Sequence, residues 1–258
     1  MNFLKLKKLN KLDIFKNEKL LSLEKLKKQG FCNINYKLNS CTNSYLLRVF
    51  KDDSTVNISR EYEYKIQKKA WEKSIAPKPL YLNKKKSFMI TEFLEGIHKY
   101  KLKKIEVRSI IKNIKKLHKI KSSEKSYDIK NDFKNYKKLL QDKDSKKIIK
   151  ESLKELKKID KYKKRPVSTH HDLNPRNIIF YKNSVKFIDW EYAGVNDCFF
   201  DLATICVEFK LNKKMQNLAL EYYFKKSKEK NKKAHKKSLN SYMKIYKNLC
   251  ILWFKTLK

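Results

Sequence analysis

Between residues 168 and 194 the chain reads STHHDLNPRNIIFYKNSVKFIDWEYAG, where His170, Asp172 and Asn177 fall in an H-x-D-x-x-x-x-N spacing and Asp189 closes the second apolar run. An asparagine carbonyl and an aspartate carboxylate are hard oxygen donors, suited to holding Mg2+ jointly with phosphate oxygens. A further aspartate just ahead of them, Asp172, can orient a hydroxyl and accept its proton. One carboxylate for the hydroxyl and two oxygens for a metal on a polyphosphate is the division of labour of phosphoryl transfer. Turn residues and strand caps would use the same letters, so the surrounding elements and a second site must decide.

The runs NIIFY and VKFID flank the turn-like spacer KNS, which predicts a hairpin that brings Asn177 and Asp189 together. Upstream, Ile34, Tyr36 and Leu38 alternate with polar neighbours, as do Tyr45, Leu47 and Val49 after NSCTN, which predicts another hairpin. A helix is expected over 58–73, ending before Pro77 and Pro79, and strands over LYL and SFMITEF. A basic helical stretch is expected at the N-terminus. From about residue 100 the period becomes helical, with Val107, Ile110, Ile111, Ile114 and Leu117 on one face. Further helices are expected near 128–141 and 145–162 and through 199–258. The expectation is an α+β chain: a small sheet-rich part with one helix, then a larger, mainly helical part carrying the hairpin.

The 258 residues suffice for one large domain or two lobes sharing a cleft, and 41% hydrophobic content supplies a core. Lys+Arg number 65 against 27 Asp+Glu, a net charge of +38. Such a charge prompts a search for nucleic acid or an anionic membrane. The lysines run from end to end without a concentrated tail or nucleic-acid motif, so they read as solvated faces and no nucleic-acid partner is expected. Five cysteines without a Cys-x-x-Cys pair suit reduced thiols, and His98, His118 and His235 stand isolated. No run reaches the roughly 20 apolar residues of a membrane span, and a cytoplasmic protein is expected.

HHDLNPRN, FIDWEYAG and FFDLAT together resemble the aminoglycoside phosphotransferase and choline kinase superfamily, which has a protein-kinase-like fold. QGFCNINYKL resembles the phosphate loop of choline kinases, YLLRVF their nucleotide-lobe strand, and REYEYKIQKKAWEKSIAPK the helix and turn after it. The resemblance runs in order over about residues 24–254. It implies a nucleotide-binding lobe over 1–95 and a catalytic and substrate-binding lobe over 96–258. It implies ATP and Mg2+ as cofactors, with Asp172 as catalytic base, His170 orienting the catalytic loop, and Asn177 and Asp189 on the metal. Arg48 would contact the ATP phosphates and Glu63 pair with it, Glu61 being a close competitor. Gly30 and Asn33 would belong to the phosphate loop, in which Gln29 stands where the family usually has glycine. TEFLEG resembles the inter-lobe hinge, whose backbone near Glu92 to Leu94 would hold adenine.

DWEYAG and the phosphate loop tilt the resemblance toward choline and ethanolamine kinases, whose bacterial members supply phosphocholine for lipopolysaccharide decoration. A quaternary ammonium has no N–H to donate and is held by aromatic faces and diffuse negative charge. The resemblance puts Tyr192, Glu191, Glu208 and Trp253 at that site. Asp201 and Glu208, seven apart on a predicted helix, share a face. Trp253 matches the second residue of a W-x-x-W pair with Cys250 at the first, and core packing is its equal alternative; no tyrosine follows Glu208 closely. An aminoglycoside phosphotransferase or thiamine kinase is the alternative within the same chemistry, and a silent kinase-like module with a basic surface the alternative outside it.

Overall fold

Strict alternation in the first hundred residues builds one antiparallel sheet. A computed structural model of the chain describes residues 5–27, 29, 33–51, 59–122, 126–162, 164–181, 183–225 and 231–256. Strands β1 (Leu20–Lys25), β2 (Asn33–Ser40), β3 (Ser44–Phe50), β4 (Pro79–Leu82) and β5 (Phe88–Glu92) stand in the order β1-β2-β3-β5-β4. In the β2–β3 hairpin Leu38 faces Tyr45 and Asn35 faces Arg48, and across β3–β5 Arg48 faces Met89. Side chains alternate sides along a strand. Leu47 and Val49 therefore enter a core with Leu20, Leu38, Phe88 and Ile90, capped by Leu9 and Phe15, while Arg48 points to the opposite face.

Among its described residues, the basic N-terminal stretch forms a helical turn, α1 (Leu6–Leu9), and a 3-10 turn at Asp13–Phe15. Asn10 ends α1: its Oδ1 accepts from the Leu20 N–H at 2.7 Å and its Nδ2 donates to the Leu20 carbonyl at 3.2 Å. The main helix of this unit is α2 (Arg60–Glu72), capped where the Ser59 hydroxyl accepts from the Tyr62 N–H. Its buried face carries Glu63, Ile66, Gln67 and Ala70, the i, i+3, i+4, i+7 stripe of a packed helix.

The chain divides into two compact units, Met1–Gly96 with Lys186–Glu191, and Ile97–Val185 with Tyr192–Lys258. The second consists of α3 (Lys104–Leu117), α4 (Ile129–Leu139), α5 (Lys143–Ile159), α6 (Phe199–Glu208), α7 (Lys213–Phe224) and α8 (Lys232–Thr256). Helix α8 packs against α5 and α6. Val107, Ile110, Ile111, Ile114 and Leu117 are fully buried along α3. Strands β6 (Pro166–Thr169), β7 (Ile178–Tyr181), β8 (Ser184–Phe187) and β9 (Gly194–Asp197) form two short ladders, β7 with β8 and β6 antiparallel to β9. The β6–β9 ladder is absent from the sequence reading because four-residue strands of mixed polarity are too short to show a period. It gathers the two ends of the 168–194 segment: Ser168 faces Val195 and Thr169 faces Gly194. No helix among the described residues is long and apolar enough to cross a membrane.

Candidate active site

In the first unit, Arg48 is the centre of a buried charge cluster. Its Nη1 donates to Glu63 Oε1 at 2.5 Å and its Nη2 to Asp189 Oδ1, with Glu191 Oε2 at 3.6 Å. The Glu63 and Arg48 side chains are 1% and 5% exposed, whereas Asp189 keeps 32% of its side chain open to solvent. Glu61, one residue pair away on α2, instead holds Lys86 at the surface, so Glu63 is the partner. Burial alone would lower the Arg48 pKa; Glu63, Asp189 and Glu191 outweigh it and hold the guanidinium firmly charged. A second arginine completes the cluster. Arg60 bridges Glu63 Oε2 at 2.8 Å and Glu191 Oε2 at 3.1 Å and lies over the Phe50 ring at 3.9 Å.

The segment after β8 is shaped to present these acids. Trp190 is fully buried and its Nε1 donates to the Phe187 carbonyl, which anchors the stretch between Asp189 and Glu191. Asp189 adopts a left-handed backbone, φ 64°, a conformation a non-glycine residue keeps only where its surroundings hold it. Asn33 Nδ2 donates to Glu191 Oε2 at 2.9 Å. The two residues that the resemblance assigns to nucleotide and to substrate, Asn33 and Glu191, are thus joined to each other in the arginine cluster. Gly30 lies outside the described residues. At the end of β5, the Glu92 N–H donates to the Lys78 carbonyl and the Phe93 N–H to the Ser44 carbonyl. Both amides are spent on structure, so Leu94 carries the N–H of the 92–94 stretch that suits a ligand.

In the second unit, the loop after β6 is built around Asp172. Asn177 Nδ2 donates to Asp172 Oδ2 at 2.6 Å and to its carbonyl at 2.9 Å, and Asn174 Nδ2 donates to Oδ1 at 2.9 Å. With its amide nitrogen turned to Asp172, Asn177 has its carbonyl oxygen Oδ1 as the group left for a cation. The loop is pinned by Leu173, fully buried, and by His98, whose Nδ1 reaches the Pro175 and Ile178 carbonyls at 3.2 and 3.0 Å.

Asp201, on the first turn of α6, fixes the start of that loop. The His170 and His171 N–H groups donate to its two carboxylate oxygens at 3.0 Å each, and His118 Nε2 donates to Oδ2 at 3.1 Å. The Tyr223 hydroxyl lies 2.7 Å from His118 Nδ1, completing a Tyr223–His118–Asp201 chain. Burial would raise the Asp201 carboxyl; His118, His171 and the His170 N–H prevail and hold it below the usual carboxylate range. His170 is fully buried, in keeping with an orienting role. His171 is at φ 68°, and burial lowers its pKa. The neutral ring donates from Nδ1 to the Tyr192 carbonyl at 2.7 Å and accepts at Nε2 from the Thr169 hydroxyl at 2.9 Å. A Cβ on Gly194 would come within 3.2 Å of His171 Cε1, so glycine there permits the close approach.

Two turns beyond Asp201 on the same face, Glu208 ends α6, partly exposed, and its Oε1 accepts from the Tyr246 hydroxyl at 2.9 Å. Tyr246 is buried, and Cys250, Glu208 and Asp172 all act electrostatically on its hydroxyl. Trp253 lies partly exposed on α8, edge to face with Phe254 at 4.9 Å. Tyr192 is half-buried, its carbonyl taken by His171. From α4, Tyr136 is pushed up to about 12 by burial, with Asp132 and Cys250 adding to the rise; Asp132 itself is raised by burial to about 6. Arg60, His118, His98, Asn174 and Tyr246 are absent from the sequence reading of the site.

The donor set fits Mg2+ in its chemistry: the Asn177 carbonyl and the Asp189 carboxylate are hard oxygens. Among the described residues no three His, Cys, Asp or Glu side chains gather as a metal site.

A family model described as choline/ethanolamine kinase matches residues 24–250. Protein LicA of Haemophilus influenzae is 38% identical over 91 residues, which is 33% of this chain and 32% of that protein. The chain thus matches about a third of the length of that relative. Among solved structures, choline kinase LicA from Streptococcus pneumoniae superposes with a TM-score of 0.79 at 19% identity, covering 97% of this chain and 90% of that one. An ethanolamine kinase from Plasmodium vivax gives a TM-score of 0.70 at 22% identity, over 90% of this chain and 76% of that one. The fold is protein-kinase-like.

Proposed function

The chain belongs to the choline/ethanolamine kinase family, and we propose that it is an ATP-dependent kinase that transfers the γ-phosphoryl group to the hydroxyl of choline or a related amino alcohol such as ethanolamine. The observation that carries this reading is the Asp172 carboxylate, gripped by Asn174 and Asn177 on a loop that Asp201 holds by two backbone amides. A carboxylate locked in one rotamer orients an acceptor hydroxyl and takes its proton as the oxygen attacks. A mere turn aspartate needs no such support.

The other roles follow from chemistry. Arg48, held charged and backed by Glu63, offers its cation to the phosphates. Gly30 and, of the Glu92 to Leu94 backbone, the Leu94 N–H serve the nucleotide. Asn177 and Asp189 would each offer a hard oxygen to Mg2+, which would neutralise phosphate charge when bound. Glu208, Tyr192 and Trp253 receive the ammonium group, and His170 steadies the loop. Asn33 and Glu191 act through the arginine cluster.

The test is Mg2+-dependent ADP release from ATP with choline, ethanolamine, thiamine and an aminoglycoside offered in parallel. Turnover with choline or ethanolamine is expected. Turnover with thiamine or the aminoglycoside alone would keep the chemistry and refute the acceptor; no turnover with any of the four would refute the reading.

A further inference from the structure

The cation subsite of the proposed reaction has an acid, Glu208, whose carboxylate must be aimed, and the sequence offers no tyrosine shortly after it to do so. The aim comes from α8. Tyr246 is 6% exposed and its hydroxyl donates to Glu208 Oε1 at 2.9 Å. Its ring stands perpendicular to Phe200 at 5.9 Å, and Phe200 packs in turn on His171 at 4.8 Å. The tyrosine is thus fixed from the ring side by the aromatic group that backs the catalytic loop, and from the hydroxyl side by Glu208. Cys250 and Trp253 follow at i+4 and i+7, on the same face of α8.

Building on the functional reading above, we propose that Tyr246 is the positioning residue of the cation subsite, holding the Glu208 carboxylate in the rotamer that receives the ammonium group of the acceptor. Burial, together with Cys250, Glu208 and Asp172 nearby, raises the pKa of the hydroxyl, so it stays protonated and can only donate to the carboxylate. One Glu208 oxygen is spent on Tyr246 and the other is left for the cation. A free glutamate side chain would divide its time among rotamers, and the bond removes that entropy before substrate arrives.

The test compares Tyr246→Phe with Tyr242→Phe, each in the full chain. Tyr242 lies one turn earlier on α8, is equally buried and stacks on Phe199, so its variant reports what losing a buried hydroxyl does to the helix alone. For Tyr246→Phe the KM for the amino alcohol should rise about fivefold to tenfold, the size of one hydrogen bond, with kcat within about threefold and the KM for ATP unchanged. Tyr242→Phe should leave the amino-alcohol KM unchanged. Isothermal titration of choline or ethanolamine into each protein should give the same ranking without turnover. Equal amino-alcohol KM in wild type and Tyr246→Phe, or equal shifts in both variants, would overturn the proposal while leaving the kinase reading intact. A wild-type protein that neither binds nor phosphorylates any amino alcohol would overturn both.

Discussion

Replacing Asp201 by asparagine removes a carboxylate that ties α6 to the start of the Asp172 loop. The native carboxylate is fully buried and accepts the His170 and His171 N–H groups and His118 Nε2. Hydrogen bonds to charged groups contribute about 1.5–3 kcal/mol each, and neutral ones about 0.5–1.5. Asparagine retains one oxygen, which can keep one backbone bond in weakened form, and turns an NH2 toward the other donors. The sum is a loss of about 3–5 kcal/mol, the usual cost of breaking a buried charged network. At about 2–4 °C per kcal/mol for units of this size, thermal unfolding followed by circular dichroism should fall by roughly 10 °C. A displaced loop of about 1 Å costs about a hundredfold in turnover, so kcat should drop on that order. Nucleotide affinity should hold within about threefold, because Arg48 and Glu63 belong to the other unit. The pH dependence has a definite sign. Folding lowers the Asp201 pKa, so its stabilisation is complete above the unfolded carboxyl value near pH 4 and is lost as pH falls through the lower folded value. The deficit of Asp201→Asn should therefore be constant from about pH 5 to 8 and shrink only in stronger acid. Melting within about 2 °C of wild type at pH 7, with kcat within about threefold, would refute this account of the loop.

Two further substitutions probe each unit alone. Glu63→Gln takes a carboxylate from between buried Arg48 and half-buried Arg60 and should cost about 3–5 kcal/mol in urea unfolding while raising the nucleotide Kd about tenfold; unchanged nucleotide binding would remove Arg48 from the phosphate role. Asp132→Asn should do the opposite to stability. Burial raises the folded Asp132 pKa to about 6, so the native protein loses stability as pH climbs from about 4 to about 6 and stays penalised above. The asparagine variant should match wild type at pH 4 and exceed it by about 1–2 kcal/mol at pH 8, after allowance for partial exposure of the group. A variant no more stable than wild type at pH 8 would contradict the burial described for α4.

What the sequence reveals of the site is what is local. Asp172 and Asn177 lie five residues apart on one loop, so a motif scan finds them, and Arg48 and Glu63 lie on neighbouring elements whose periods are clear. Partners brought together by tertiary packing escape it. His118 looks isolated along the chain and meets Asp201 83 residues later; Tyr246 meets Glu208 across 38. Arg60 is hidden for another reason: among 65 Lys+Arg, one more arginine carries no signal until two buried carboxylates are seen on either side of it. Glu191 illustrates the reverse case. Its place beside Tyr192 suggests a substrate group, yet its Oε2 is taken by Asn33 and Arg60, residues from the opposite end of the sequence. The same locality governs the fold. The β2–β3 hairpin and α3 are long enough to display a period, whereas the four residues each of β6 and β9 are not.

In the proposed reaction Asp172 directs the γ-phosphoryl group of ATP onto the hydroxyl of an amino alcohol. Phosphorus NMR of a reaction containing the protein, Mg2+, ATP and choline or ethanolamine reads that event directly. A phosphomonoester resonance should grow as the γ-phosphate signal of ATP declines, and should slow by at least about a hundredfold for Asp172→Asn with nucleotide binding retained. Release of inorganic phosphate alone, or equal ester formation by wild type and Asp172→Asn, would contradict it.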